Sequence, residues 1–485
     1  MLNAPGVSTM VDWIFAYPCE IASLPPYLIA EQLICSVDVY WLGTRSNNRT
    51  EKERGIMHSL LKAAKCKFSE RRPKSASMFS EGRKVMPGGN TRSVLHYDPF
   101  PIAMVRGEGP TLWDADGHAY IDFLGEFTAG LFGHSNALIR TAITNAMADG
   151  ISLSAQSPYE IELANLLVTR FASIDLVRFT NSGTEANLMA LSLARAATGR
   201  NRILVFKGSY HGGVLSFLNG RSTVNVPHDF IYGDYNAADA TRALIAENAE
   251  DLAAVLVEPM LGAAGCLQGT REFLSTVQEA AKKASALFIL DEIQTSRLAF
   301  GGRQEQLGLS PDITTLGKYI GGGSSIGAFG GNAELMNLFA PDRPNALQHA
   351  GTFNNNVISM AAGTVGLRDI YTKERAKELN QQGDCLRERL NLLCRAYQAP
   401  LQFIGLGSLM NAHATSSPIV QLKDIQNTDT ALRDLLFFFL ADHGYYIARR
   451  GFITLNLELK QTHIDGLCEA VEAFLDLYQS EWLVP

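Results

Sequence analysis

Lys318 stands in a glycine-rich run, Thr314-Thr315-Leu316-Gly317-Lys318-Tyr319-Ile320-Gly321-Gly322-Gly323. Upstream, Asp291 closes the apolar run Ala286-Leu287-Phe288-Ile289-Leu290-Asp291. A lysine amine can form a Schiff base with an aldehyde, and a carboxylate can hold a protonated aromatic nitrogen. Glycines beside the lysine let the backbone and a flat ligand approach each other closely. Taken alone, Lys318 reads as readily as a surface lysine in a loop. Asp291 alone reads equally as a helix cap or as the partner of Arg297.

Three further motifs narrow the choice. Thr180-Asn181-Ser182-Gly183-Thr184-Glu185-Ala186-Asn187 follows an apolar run and opens a long helical pattern. A helix start offers backbone N–H groups and the positive end of the helix dipole to an anion, and Ser182 and Thr184 add hydroxyls. The same residues also make a capping signature, so the two readings are even here. Phe206-Lys207-Gly208-Ser209-Tyr210-His211-Gly212-Gly213 again follows a strand-like run. Ligands of open α/β sheets gather at the carboxyl ends of strands, and an aromatic ring there can cover a flat ligand. Lys207, directly after the run, reads as structural. His349-Ala350-Gly351-Thr352-Phe353-Asn354-Asn355-Asn356 has the composition of a loop.

These motifs need a scaffold. Short β-rich runs (Leu176 to Thr180, Ile203 to Phe206, Ala253 to Glu258, Ala286 to Asp291) alternate with helical stretches at Glu185 to Thr198 and Arg271 to Ser285. That alternation predicts an α/β fold with a mostly parallel sheet between helices. Before it lies a β-meander turning at Asp114-Ala115-Asp116-Gly117. After it come a helix from Lys373 to Arg395, a strand-like run from Tyr445 to Leu457 and a helix from Ile464 to Leu477. Residues 45–75 are polar and mostly basic and read as a linker, helical around Met57 to Lys67.

Bulk properties exclude several classes. A net charge of −7 across 485 residues argues against nucleic-acid binding and a polybasic membrane role. Seven scattered cysteines form no CxxC, which argues for reduced thiols in the cytoplasm and against a metal site or disulfide framework. The apolar stretch from Val11 to Gly43 is interrupted by acidic residues and prolines, so it resembles neither a spanning helix nor a signal peptide.

In this order the motifs resemble the class III, subgroup II aminotransferases of the fold-type I pyridoxal-phosphate family, which includes glutamate-1-semialdehyde aminomutase. The resemblance runs from about Ser80 to Leu477. Within the family, Pro87-Gly88-Gly89-Asn90-Thr91-Arg92-Ser93-Val94-Leu95, Asp291-Glu292-Ile293-Gln294-Thr295-Ser296-Arg297-Leu298 and Gly351-Thr352-Phe353-Asn354-Asn355-Asn356 are most similar to the β-amino-acid (β-phenylalanine) aminotransferases. The aminomutases usually carry other residues there, including Gly-Asn-Pro after the Gly-Thr.

The resemblance implies pyridoxal 5'-phosphate as cofactor, held on Lys318 as an internal aldimine. It implies Asp291 on the pyridine nitrogen, Tyr210 along the ring, Gln294 bordering it, and Ser182, Gly183 and Thr184 on the phosphate. Thr352 would come from a neighbouring subunit of a homodimer. Arg92 would hold the substrate carboxylate, with Arg450 as a second candidate beside Arg449. It implies a small domain of 76–135 and 353–485 and a large cofactor domain of 136–352, and leaves residues 1–75 as an extension and linker of unknown role. The expected activity moves an amino group from an amino acid, such as a β-amino acid, to a 2-oxo acid in ping-pong fashion. An aminomutase, a racemase or decarboxylase, and a catalytically silent binding subunit share these motifs and stay open at this point.

Overall fold

The computed structural model describes residues 51–482 except 427 and 429, so the stretch from Val11 to Gly43 lies outside the described residues. The chain gathers into two compact units: residues 125–380 with 419–423, and residues up to 124 with 381–418 and 424 onward.

The first unit is built on seven strands: β1 (Leu176–Thr180), β2 (Arg202–Phe206), β3 (Asp229–Gly233), β4 (Leu252–Val257), β5 (Leu287–Asp291), β6 (Ile313–Gly317) and β7 (Gly327–Gly331). Their order is β1-β7-β6-β5-β4-β2-β3. The neighbours from β6 through β5, β4 and β2 to β3 are parallel, and β7 runs antiparallel to β6 and β1. This is the mostly parallel α/β sheet that the alternating pattern predicts. All six residues of β4 are buried, as a strand covered on both faces requires.

Helix α1 (Gly183–Thr198) presents Ala186, Ala190 and Ala194, one turn apart, to a cluster that includes Val205, Leu256 and Ile289. Small side chains on that face let the helix lie close to the sheet, and Gly199 ends it in the left-handed conformation (φ 69°). The glycine-rich turn after β6 meets helix α2 (Val357–Val365) backbone to backbone. A Cβ on Gly322 would lie 2.5 Å from the Ala362 carbonyl, and one on Gly363 would lie 2.2 Å from Ile320 O.

In the second unit the meander is present as Met104–Glu108, Thr111–Asp114 and Ala119–Asp122, and Tyr445–Tyr446 pairs parallel to its third strand. The strand-like run Tyr445 to Leu457 is two short strands. They part at a turn in which Gly451 (φ 87°) donates to Ala448 O, and Phe452–Thr454 then joins Leu409–His413 in a second sheet. The basic stretch forms a helix over Glu51–Arg71 that buries Met57, Leu61 and Phe68; Pro73 opens the next helix, Pro73–Val85.

Between those helices Arg72 is fully buried. It donates to Tyr120 Oη (3.0 Å), Asp442 Oδ1 (3.2 Å) and Ala441 O (3.2 Å), with its guanidinium 4.3 Å from the Phe68 ring centroid. Tyr120 passes the interaction on by donating to Asp114 Oδ2 at 2.6 Å. Removing the cation leaves buried acceptors without their donor. Arg72→Ala is expected to cost about 3–5 kcal/mol, seen as a lower urea midpoint at unchanged slope.

Candidate active site

Within the first unit, the loops after β1, β2, β4, β5 and β6 converge at the carboxyl ends of the strands. Ser182 caps α1 (φ −156°): its Oγ accepts from Glu185 N (3.2 Å), and its carbonyl accepts from Ala186 N (3.0 Å). Helix geometry gives the amides of Gly183 and Thr184 no intrahelical acceptor, the arrangement in which a helix start can meet an anion. The cap is formed, and it leaves the anion reading of this motif open. Gly212 (φ 134°) lies on Thr184, where a Cβ would come within 2.3 Å of Oγ1, and Gly213 N donates to that hydroxyl at 3.3 Å. A Cβ on Gly183 would lie 2.4 Å from Ile293 Cδ1.

Asp291 is 4% exposed at the end of β5. Its Oδ2 accepts from Asn187 Nδ2 (2.8 Å) and pairs with His211 Nδ1 (2.7 Å), while Oδ1 accepts from Ile293 N (3.0 Å). Arg297, the alternative partner in sequence, donates to Thr128 O. One strand away, Lys318 follows β6 in the left-handed conformation (φ 57°), which is strained for a side-chain-bearing residue and recurs at functional positions. Because Asp291 pairs with Thr315 across the parallel β5–β6 ladder, the carboxylate and the lysine leave the sheet at the same edge.

Tyr210 and Gln294 complete this region. Tyr210 is held by its backbone, its amide donating to Glu258 Oε1 at 2.8 Å, and its side chain is partly exposed. Gln294 packs onto Gly262, where a Cβ would lie 1.8 Å from Oε1, and that oxygen is buried without a partner. Lys207 forms an ion pair with Asp234 (2.7 Å), consistent with a structural place. Thr352 lies exposed in a loop tied to the segment ahead of α1: Asn354 Oδ1 accepts from Asn181 Nδ2 at 2.9 Å, and Asn354 Nδ2 meets His349 Nε2 at 3.2 Å.

Ser182, Gly183, Thr184, Tyr210, Asp291, Lys318 and Thr352 thus belong to one unit, whereas Arg92 and Arg450 belong to the other. Arg92 is exposed ahead of the short turn Ser93–Leu95. Arg450 is half-buried with its guanidinium 5.0 Å from the Phe452 ring centroid, and Arg449 is engaged by Asp434 at 2.5 Å.

Three residues near Asp291 had no role assigned from sequence: Asn187, His211 and Glu258. The first two stand inside the motifs already singled out. Glu258 carries the signal that marks Asp291, a carboxylate ending a wholly apolar strand. Burial pushes it up to about 7.

A lysine at the strand edge, a buried carboxylate with its donors and a helix N-terminus suit an aldehyde-bearing, phosphorylated pyridine. They define a fold-type I pyridoxal-phosphate enzyme. The class-III aminotransferase family model matches residues 93–472. The chain is 49% identical to the β-phenylalanine transaminase of Variovorax paradoxus over 84% of this chain and 94% of that protein. The crystal structure of the β-phenylalanine aminotransferase from that organism superposes with a TM-score of 0.86 at 48% identity, covering 88% of this chain and 99% of the other. A transaminase solved with pyridoxal phosphate bound gives a TM-score of 0.78 at 30% identity, covering 84% and 99%. Glutamate-1-semialdehyde 2,1-aminomutase of Desulfotalea psychrophila is 35% identical over 78% of this chain and 92% of that protein. The chain belongs to the class-III aminotransferases. It is a pyridoxal-phosphate-dependent transaminase.

Gly212 tests the anion site. Gly212→Ala places a methyl group against Thr184 and is expected to weaken pyridoxal phosphate binding to the apoenzyme about tenfold or more, about 1.4 kcal/mol. Gly213→Ala, where a Cβ meets nothing within 4 Å, should leave affinity near wild type. Quenching of intrinsic fluorescence on cofactor titration separates the two.

Proposed function

We propose that the chain takes the amino group of a β-amino acid and passes it to a 2-oxo acid, working as a cytoplasmic homodimer. The observation that carries the donor class is the 49% identity to a β-phenylalanine transaminase across most of both chains. Bound pyridoxal phosphate supplies an aldehyde and an electron-withdrawing ring that takes up the charge left on carbon when a proton is removed. In this reading the Gly183 and Thr184 amides, with the Ser182 and Thr184 hydroxyls, hold the phosphate. Asp291 holds the pyridine nitrogen in its protonated form, and His211 and Asn187 hold Asp291. Tyr210 covers the ring, and Gln294 borders it.

Lys318 Nζ would hold the cofactor through its aldehyde. As a free amine it would take the proton from the amine-bearing carbon and return one, so a single base would serve both half-reactions. Arg92 and Arg450 are the proposed carboxylate ligands, since a planar fork matches a carboxylate in two places. The Arg449–Asp434 pair favours Arg450 over its neighbour.

Thr352 is proposed to reach the phosphate of a second copy. Phe353, 62% exposed beside it, offers an apolar side chain to such a contact. The five described cysteines carry free thiols, as a reducing compartment maintains them, and no helix among the described residues is long and apolar enough to cross a membrane.

A donor screen tests this reading. With pyruvate or 2-oxoglutarate present, β-amino acids should show kcat/KM at least about tenfold above their α-isomers, a difference of about 1.4 kcal/mol in transition-state binding. Turnover should cease without an oxo acid, which separates transamination from an internal amino shift. Activity confined to α-amino acids would remove the donor assignment. Arg92→Ala should raise KM for the donor about tenfold or more, the value of a lost charge-assisted hydrogen bond, at a smaller change in kcat.

A further inference from the structure

The carboxyl ends of β2, β4 and β5 bring three titratable side chains into one buried cluster, and the roles above use only Asp291 and its partner His211. The third, Glu258, is 4% exposed directly after β4. Its carboxyl receives two backbone amides from different loops: Tyr210 N at Oε1 (2.8 Å) and Gly262 N at Oε2 (3.3 Å). Its carbonyl accepts from Tyr235 Oη at 2.8 Å, which pins the strand end on a third side. One side chain therefore ties the Tyr210 loop to the turn that lies under Gln294.

We propose that Glu258 is a positioning residue for the transfer reaction: its carboxyl, bridging the Tyr210 and Gly262 amides, fixes the Tyr210 loop and holds one exchangeable proton beside Asp291 and His211. The proposal rests on the cofactor assignment and on the roles given to Tyr210 and Asp291, and is independent of which donor is used.

His211 meets Asp291 through Nδ1, while its Nε2 is buried with no hydrogen-bond partner. The groups facing Glu258 are His211, Asp291 and Tyr235. Burial raises Glu258 to about 7, charge on His211 opposes that, the Asp291 charge adds to it, and the two amides oppose it. Tyr235 is itself pushed upward by burial and by the Glu258 charge, so it stays neutral.

Near neutrality the Glu258 carboxyl exchanges its proton. Protonated, it adds no charge next to Asp291 and the pyridine nitrogen proposed to meet it. Ionised, it adds one negative charge there. The reserve proton thus couples the electron-withdrawing state of the ring to pH.

Two variants test this. Glu258→Gln keeps the shape but removes the exchangeable proton and one of the two acceptors; Glu258→Asp keeps the proton and shortens the reach. Loss of an acceptor for a buried amide should lower kcat about tenfold in both. The visible absorption of the cofactor-loaded wild type should change through a step near pH 7 that Glu258→Asp retains and Glu258→Gln lacks.

The apoenzyme offers a readout free of cofactor and substrate. A carboxyl held higher in the folded than in the unfolded state contributes stability in acid and loses it as pH rises through its folded value. Wild-type melting temperature should therefore fall more steeply between about pH 5 and 7.5 than that of Glu258→Gln. Should Glu258→Gln fail to fold, Glu258→Asp carries the test, through a retained step with lowered kcat. A wild-type pH step in Glu258→Gln, or wild-type kcat in both variants, would overturn the proposal. None of the spectral or thermal readouts uses an amino donor, so they fail or succeed apart from the donor assignment.

Discussion

A buried carboxylate is the constraint around which the first unit is arranged. Asp291 ends β5 at 4% exposure, where an unpaired charge is costly, and three donors from different elements meet it: Asn187 from α1, His211 from the loop after β2 and the Ile293 amide. Those three fasten the helix, the aromatic loop and the strand end together. Those partners are an amide side chain, an imidazole and a backbone amide rather than a lysine or arginine, which leaves the carboxylate open to a cationic ligand.

The glycines answer a second requirement, close approach. Gly183 lies on Ile293, Gly212 on Thr184, Gly262 on Gln294, and Gly327 on the Ser182 carbonyl, where a Cβ would come within 2.1 Å. These contacts bring loops from β1, β2, β4 and β5 nearer together than side chains would permit. Lys318, in the turn after β6, holds a left-handed backbone (φ 57°), which is strained for a residue with a side chain. That strain falls on the residue proposed to hold the cofactor.

Much of this was legible in the sequence because it follows from short-range patterns. Continuous apolar runs marked the strands, and a charge closing such a run marked Asp291. The same rule marks Glu258, yet its role is visible only in three dimensions, since its partners are amides at Tyr210 and Gly262, and amides have no sequence signature. His211 stood within a recognised motif, but its bond to Asp291 spans 80 positions. The run Tyr445 to Leu457 misled because its apolar residues continue on either side of Gly451, whose positive φ turns the chain. The basic composition of residues 51–71 concealed the buried positions Met57, Leu61 and Phe68 that seat this helix.

The central claim is that one amine, at the edge shared with Asp291, holds the cofactor. Borohydride reduction of the loaded enzyme, followed by proteolysis and mass spectrometry, measures this directly. A pyridoxyl adduct on Lys318, absent from Lys318→Ala, is the predicted result. An adduct on Lys207 or another lysine, or an equal yield from Lys318→Ala, would contradict the account.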